Sequence, residues 1–125
     1  MCQAIDPRTI LIVEDDPFIR MSTVATLEDA GFWVLEAQNS TEALDILSRH
    51  PEVSIMVTDV RMPGRMNGLA LVARVRIDHP AIRAIVVSGN TSAEDASNAG
   101  ALGFVAKPYL AQTMIQAVQD TVLRH

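Results

Sequence analysis

The stretch Ile10-Leu11-Ile12-Val13-Glu14-Asp15-Asp16-Pro17 passes without a break from four apolar residues to three acids and a proline. Apolar, β-branched runs this short read as strands buried on both faces, the pattern of a parallel sheet. Asp16-Pro17 then reads as a helix N-cap with proline at the first helical position. A strand that runs straight into a helix is the first half of a βα unit. The same grammar returns three times downstream. Ile55-Met56-Val57-Thr58 ends at Asp59, Ile85-Val86-Val87 at Ser88, and Phe104-Val105-Ala106 at Lys107-Pro108.

Working outward, the first strand covers about residues 9–14 and Gly31 stops the helix that follows it. Phe32-Trp33-Val34-Leu35 is a second strand. Asn39 to Arg49 is a second helix, with Asn39 and Glu42 spaced like a capping box. Val53 to Thr58 is the third strand, and the loop Arg61 to Gly68 leads into a third helix ending near His79-Pro80. Arg83 to Ser88, Thr91 to Ala99, Phe104 to Ala106 and Leu110 to Leu123 complete the alternation. Five βα units fill residues 1–125 as one domain, with no linker or repeat. Strands alternating with helices predict an α/β fold, a five-stranded parallel sheet covered by five helices. Within it, the last helix gathers Leu110, Ala111, Met114, Ile115, Ala117, Val118 and Val122 on one side. The fourth offers only alanines to a core, so its local unfolding free energy should be low.

The bulk numbers restrict what such a domain does. A chain of 125 residues, 49% of them hydrophobic, is large enough to bury roughly two thirds of its unfolded surface. Its net charge of −5 argues against direct contact with nucleic acid. Cys2 is the single cysteine, so no internal disulfide forms. No apolar stretch approaches the ~18 residues of a membrane-spanning helix and no signal peptide precedes the first strand, which predicts a cytoplasmic protein with no membrane partner. The basic residues are nine arginines and one lysine, Lys107, which stands at a strand end. A compact ammonium is not interchangeable with a planar guanidinium, so a functional lysine is expected there.

In open parallel sheets ligands sit at the carboxyl ends of the strands. An acidic cluster, a lone carboxylate, a hydroxyl and an amine therefore face one crevice. Carboxylates bind a hard cation, while an amine and a hydroxyl suit phosphate oxygens, a set fitted to metal-assisted phosphoryl chemistry. Asp16 has a structural use as a cap; Glu14 and Asp15 have none, and are expected to bind a cation. Asp59 is a plausible covalent acceptor of phosphate, while Ser88 in Ser-Gly-Asn also fits a plain turn. His50-Pro51 and His79-Pro80 close helices, a structural use of imidazole. The methionines read as core filling, and Trp33 as packing in or beside the second strand, away from the crevice. A site with few carboxylates suits Mg²⁺ better than Ca²⁺.

On these residues the chain resembles the response-regulator receiver domain of bacterial two-component signalling, of the single-domain, chemotaxis-regulator-like kind. The carriers are Val13-Glu14-Asp15-Asp16-Pro17, Thr58-Asp59-Val60-Arg61-Met62-Pro63-Gly64, Val87-Ser88-Gly89 and Ala106-Lys107-Pro108. Any one is weak alone; all four, in order and at the right strand ends, are specific. The resemblance implies a flavodoxin-like, doubly wound sheet of order 2-1-3-4-5. It also implies that Asp59 accepts a phosphoryl group from a phosphohistidine. Asp15 would ligate Mg²⁺ directly and Glu14 directly or through water, with Asp59 and the backbone carbonyl of Arg61 completing the protein ligands. Lys107 and Ser88 would contact phosphoryl oxygens, and Phe104 matches an aromatic switch position acting with Ser88 on the face of helix four, strand five and helix five. A cis bond before Pro108 is common in the family. The implied partners are a sensor histidine kinase or histidine phosphotransfer protein and a downstream protein target, with the domain a monomer or weak dimer.

The loop Met62 to Gly68 runs one residue longer than the usual form, with Arg65 inserted. Arg61 and Asn90 occupy the positions two beyond Asp59 and Ser88. Two other readings use the same residues. A phosphatase of the haloacid-dehalogenase type also uses an aspartate nucleophile, a Ser/Thr, a lysine and an acidic pair, but in a different chain order. A receiver-like domain that binds partners without phosphorylation would normally lose one of the acids or the lysine.

Overall fold

The computed structural model describes residues 8–64 and 66–123. Cys2 and Arg65, read above as the single cysteine and as a loop insertion, lie outside the described residues. The elements alternate as β1 (Thr9–Val13), α1 (Pro17–Asp29), β2 (Trp33–Ala37), α2 (Ser40–Arg49), β3 (Val53–Asp59), α3 (Gly68–Asp78), β4 (Arg83–Ser88), α4 (Ala93–Ala99), β5 (Gly103–Ala106) and α5 (Ala111–Leu123). All five strands are parallel, in the order β2-β1-β3-β4-β5. The parallel α/β alternation is the one the sequence pattern predicts, and the strand order is the flavodoxin-like one that the resemblance implies.

The central strands read as continuous apolar runs because each buries both faces. Leu11, Val13, Met56 and Val86 point to one side, where Ala43 and Leu47 of α2, Leu71, Val72 and Val75 of α3 and Ala96 of α4 join them. Ile10, Ile12, Ile55, Val57, Ile85 and Val87 point to the other, against Val24 and Leu27 of α1 and Met114 and Val118 of α5. Each fully buried side chain of this size contributes roughly 2 kcal/mol of transfer free energy. Truncating one such as Ile85 or Leu71 to alanine costs about 2–5 kcal/mol once the cavity is included.

Local chemistry sets the helix ends. Asp16 Oδ1 accepts from the N–H groups of Phe18 (2.9 Å) and Ile19 (3.2 Å), the N-cap read from Asp16-Pro17. Asn39 caps α2 by accepting from Glu42 N–H at 2.8 Å; the Glu42 carboxylate returns to Gln38 N–H, one residue earlier than an ideal capping box. His50 and His79 occupy the C-cap positions of α2 and α3. Four expectations shift. β2 starts at Trp33 and runs to Ala37, because its register is dictated by pairing with β1 rather than by its own hydrophobicity. Trp33 sits 64% exposed on this edge strand. Met21 is exposed on α1, so only some methionines, Met56 and Met114 among them, fill the core. Leu110 precedes α5 and is exposed, and Thr121 joins the buried face instead, its hydroxyl donating to Ala117 O at 2.9 Å.

Candidate functional site

Parallel register brings the carboxyl ends of the strands to one edge. Val13 pairs with Thr58, Asp59 with Val87, and Ser88 with Ala106. The residues just beyond, Glu14, Asp15 and Lys107, are thereby collected around Asp59. Ligand oxygens of Glu14, Asp15 and Asp59 all lie within 4.8 Å of one another. Lys107 Nζ donates to Asp59 Oδ2 at 2.8 Å and approaches Glu14 Oε1 at 3.5 Å. Asp59 Oδ1 accepts from Val60 N–H at 2.7 Å. Asp16 stays outside this cluster, occupied by its helix cap.

The three acids differ in setting. Glu14 is buried, Asp59 half-buried and Asp15 exposed. Burial pushes the Glu14 carboxyl up to about 7; the Asp16 N–H at 3.2 Å and Lys107 counteract this, and Asp59 adds to it. Lys107 loses some basicity to burial, but its hydrogen bond to Asp59 and the two negative charges outweigh this, and it stays firmly cationic. A carboxyl driven toward neutrality by burial first and by Asp59 and Asp15 second is not fully compensated by Lys107, and added positive charge would ionise it. Hard oxygen donors in this number, with one exposed side open to water, fit Mg²⁺. Glu14, Asp15 and Asp59 are the side chains able to hold it.

The remaining predicted residues lie around this centre. Arg61 is exposed, two residues beyond Asp59 in the loop toward α3. Ser88 is buried, and its Oγ accepts from the N–H groups of Asn90 (3.1 Å) and Thr91 (3.0 Å). The turn reading of Ser-Gly-Asn is therefore realised, and the hydroxyl proton remains to be donated elsewhere. Lys107 N–H donates to Ser88 O at 3.0 Å, tying the two strand ends together. Phe104 is half-buried on β5, packed against the α2–α3–α4 side of the core. The Lys107-Pro108 bond is cis.

Several contributors carry no sequence signal strong enough to single them out. Arg20 Nη1 donates to Glu14 O at 2.8 Å while its Nε pairs with Glu36 at 3.1 Å, bracing the acidic turn from α1. Gly68 opens α3 directly against the Asp59 backbone; a Cβ there would collide with the Asp59 carbonyl oxygen. A glycine right after the Asn67 helix cap was the available clue. Thr23 of α1 and Tyr109 share a 2.6 Å hydrogen bond between residues distant in sequence.

Residues 10–119 match the family model of the response regulator receiver domain. The chain is 33% identical over 119 residues to a chemotaxis protein CheY homolog of Campylobacter jejuni, covering 90% of this chain and 91% of that one. It is 38% identical over 116 residues to the sensor kinase CckA of Brucella abortus, covering 90% of this chain but 12% of the kinase. Among solved structures, a putative response regulator from Chloroflexus aurantiacus superposes with a TM-score of 0.87 at 27% identity, covering 95% of this chain and all of the other. The chemotaxis protein CheY4 of Vibrio cholerae does so at 0.85 and 28%, covering 93% of this chain and 99% of its own. The chain belongs to the response regulator receiver domain family. It spans between 12% and 24% of the length of CckA, an NtrX-like regulator of Rickettsia conorii and the DctD regulator of Rhizobium meliloti, so the activities of those whole proteins are not thereby its own.

Proposed function

We propose that residues 1–125 act as one phosphorylatable receiver domain, in which Asp59 takes a phosphoryl group from a phosphohistidine and the change is passed to a partner protein. The observation that carries this reading is the convergence of Glu14, Asp15, Asp59 and Lys107 at one sheet edge, with the lone lysine of the sequence 2.8 Å from the lone strand-end aspartate. An Asp59 oxygen attacks phosphorus, the P–N bond to the donor imidazole breaks, and the departing nitrogen takes a proton. Lys107 neutralises charge on the transferring group, most of what a catalyst of phosphoryl transfer has to do. Bound Mg²⁺ would supply the remaining positive charge, held by Glu14, Asp15, Asp59 and the Arg61 backbone carbonyl. The Val60 N–H fixes the rotamer of the Asp59 carboxylate. The Ser88 hydroxyl, free to donate, then reaches a phosphoryl oxygen and draws its loop with it, while Phe104 turns inward and α4–β5–α5 presents a different face. A ligand shifts such an equilibrium only through its differential affinity for the two states.

The donor is a sensor histidine kinase or a histidine phosphotransfer protein, and the output a downstream protein target in the cytoplasm, without direct contact to nucleic acid or membrane. Among the described residues no helix is long and apolar enough to cross a membrane. The receiver is a monomer or weak dimer; a related receiver, the beryllofluoride-activated NtrC4 domain, is a dimer. Family membership favours this reading over a haloacid-dehalogenase phosphatase. Incubation with acetyl phosphate and Mg²⁺, followed by intact mass, should add one phosphoryl group in wild type and none in Asp59→Asn or in EDTA. A protein that stays unmodified under all conditions is instead a receiver that works by binding alone.

A further inference from the structure

Lys107 stands on a connection, residues 107–110, that is neither strand nor helix. At its start Lys107 N–H is held by Ser88 O, and at its end Leu110 O accepts from the first turn of α5. Between these points, the described residues give the connection one hydrogen bond to α1: Thr23 Oγ1 to the Tyr109 hydroxyl at 2.6 Å. Thr23 is 5% exposed, so this pair is shielded from competing water. Packing adds a second, non-directional restraint, since the half-buried Tyr109 ring lies against the core cluster that includes Val24, Leu27 and Met114. Outside the ring, an open cleft of about 600 Å³ is lined by Phe18, Ile19 and Ser22 of α1 and by Lys107, Pro108 and Tyr109. On the inner side, Thr23 and Tyr109 line a cavity of about 10 Å³ together with Glu14 and Asp59, so the pair forms the rear wall of the acidic site.

We infer that Thr23 and Tyr109 are positioning residues for Lys107: their hydrogen bond anchors the connection to α1 and so holds the ammonium against Asp59. This rests on the receiver reading for its consequence in phosphoryl transfer, but not for its geometry. Without the bond, the middle of the connection keeps only the apolar packing of the Tyr109 ring, which fixes no direction, and Lys107 samples positions away from the carboxylate. Misplacing a charge by about 1 Å is enough to slow a reaction that depends on preorganised electrostatics.

Lys107 is the only lysine in the sequence, so protein made with isotope-labelled lysine gives a single ε-methylene NMR signal that reports this side chain alone. In the wild-type chain the signal should be that of an immobilised ammonium. Tyr109→Phe, which keeps the ring, and Thr23→Val should move it toward the shift and mobility of a free lysine; Thr23→Ser, which keeps the hydroxyl, should restore the wild-type signal. A Lys107 signal unchanged in Tyr109→Phe overturns the inference and leaves the receiver reading standing. With acetyl phosphate as donor, Tyr109→Phe should slow phosphorylation by about fivefold, the loss typical of one hydrogen bond. In a Lys107→Met background the same change should add nothing. An equal slowing in both backgrounds would show that Tyr109 acts by some route other than the lysine. If wild type takes no phosphoryl group the phosphoryl-acceptor reading fails, and the lysine signal still decides the positioning role.

Discussion

Replacing Lys107 by methionine removes one positive charge while keeping an unbranched stem of similar length. At an effective dielectric near 20, the ammonium gains about 6 kcal/mol from Asp59 at 2.8 Å and about 5 kcal/mol from Glu14 at 3.5 Å. These gross terms are largely returned by desolvation, since the lysine side chain is only 25% exposed. What the variant leaves behind matters more. Three carboxylates within 4.8 Å repel by roughly 3 kcal/mol per pair, with nothing positive between them. Uptake of a proton by Glu14, already inclined to hold one, relieves part of the repulsion. Breaking a buried ion pair from one side costs about 3–5 kcal/mol, and partial exposure places this site at the lower end. For a domain of this size about 3 kcal/mol corresponds to a fall in Tm of roughly 10 °C. Thermal unfolding followed by circular dichroism in EDTA should show that fall. Adding Mg²⁺ should recover more stability in the variant than in wild type, because cation binding to the native state then relieves a larger strain. Equal melting temperatures in EDTA with equal gains from Mg²⁺ would mean that the lysine and the acids do not share one electrostatic site.

The Glu14 carboxyl sits at about 7 in the fold against 4.5 in its absence, so the native state holds a proton that the unfolded chain releases. That contribution is intact below about pH 4.5 and is lost as pH rises through 7, up to about 3 kcal/mol in total. Urea midpoints in EDTA should fall across this window in wild type relative to Glu14→Gln, and a constant difference between the two would refute the burial argument. Ser88→Ala should still accept phosphate yet respond less: on beryllofluoride addition, NMR shifts over residues 88–106 should be smaller than in wild type, and matching shifts would remove Ser88 from the switch. Gly68→Ala would place a methyl group against the Asp59 carbonyl, so the start of α3 has to move; a loss of about 1–3 kcal/mol by urea unfolding is expected, and an unaffected midpoint would contradict the close approach.

Much of this architecture is legible because parallel sheets impose a strong grammar. Ile10–Val13, Ile55–Val57 and Ile85–Val87 are apolar without alternation, and only a strand covered on both faces needs that. Once their direction is fixed, Glu14, Asp59, Ser88 and Lys107 fall at one edge by construction, which is why the charged set was readable before any coordinate. The edge strand was less so. β2 buries only Ala37 and leaves Trp33 and Glu36 exposed with no alternation, and its limits come from pairing with β1, a partner no local pattern encodes. Contacts made through tertiary geometry alone were invisible in the same way. Nothing near Thr23 announces Tyr109, and Arg20 reads as an ordinary surface cation until its guanidinium is seen on the Glu14 carbonyl. Ser88 shows the other difficulty: its turn reading and its proposed phosphoryl contact use different atoms, and both fit one side chain.

The identity of the acceptor remains the point on which everything else turns. After incubation with acetyl phosphate and Mg²⁺, borohydride reduction converts an aspartyl phosphate to homoserine, and tandem mass spectrometry of the peptides locates it. Homoserine is expected at position 59 alone, absent in EDTA and, in Lys107→Met, reduced to a small fraction of wild type. Phosphate found instead on Ser88 or a histidine, or reduction product at Glu14 or Asp15 with position 59 unchanged, would contradict it.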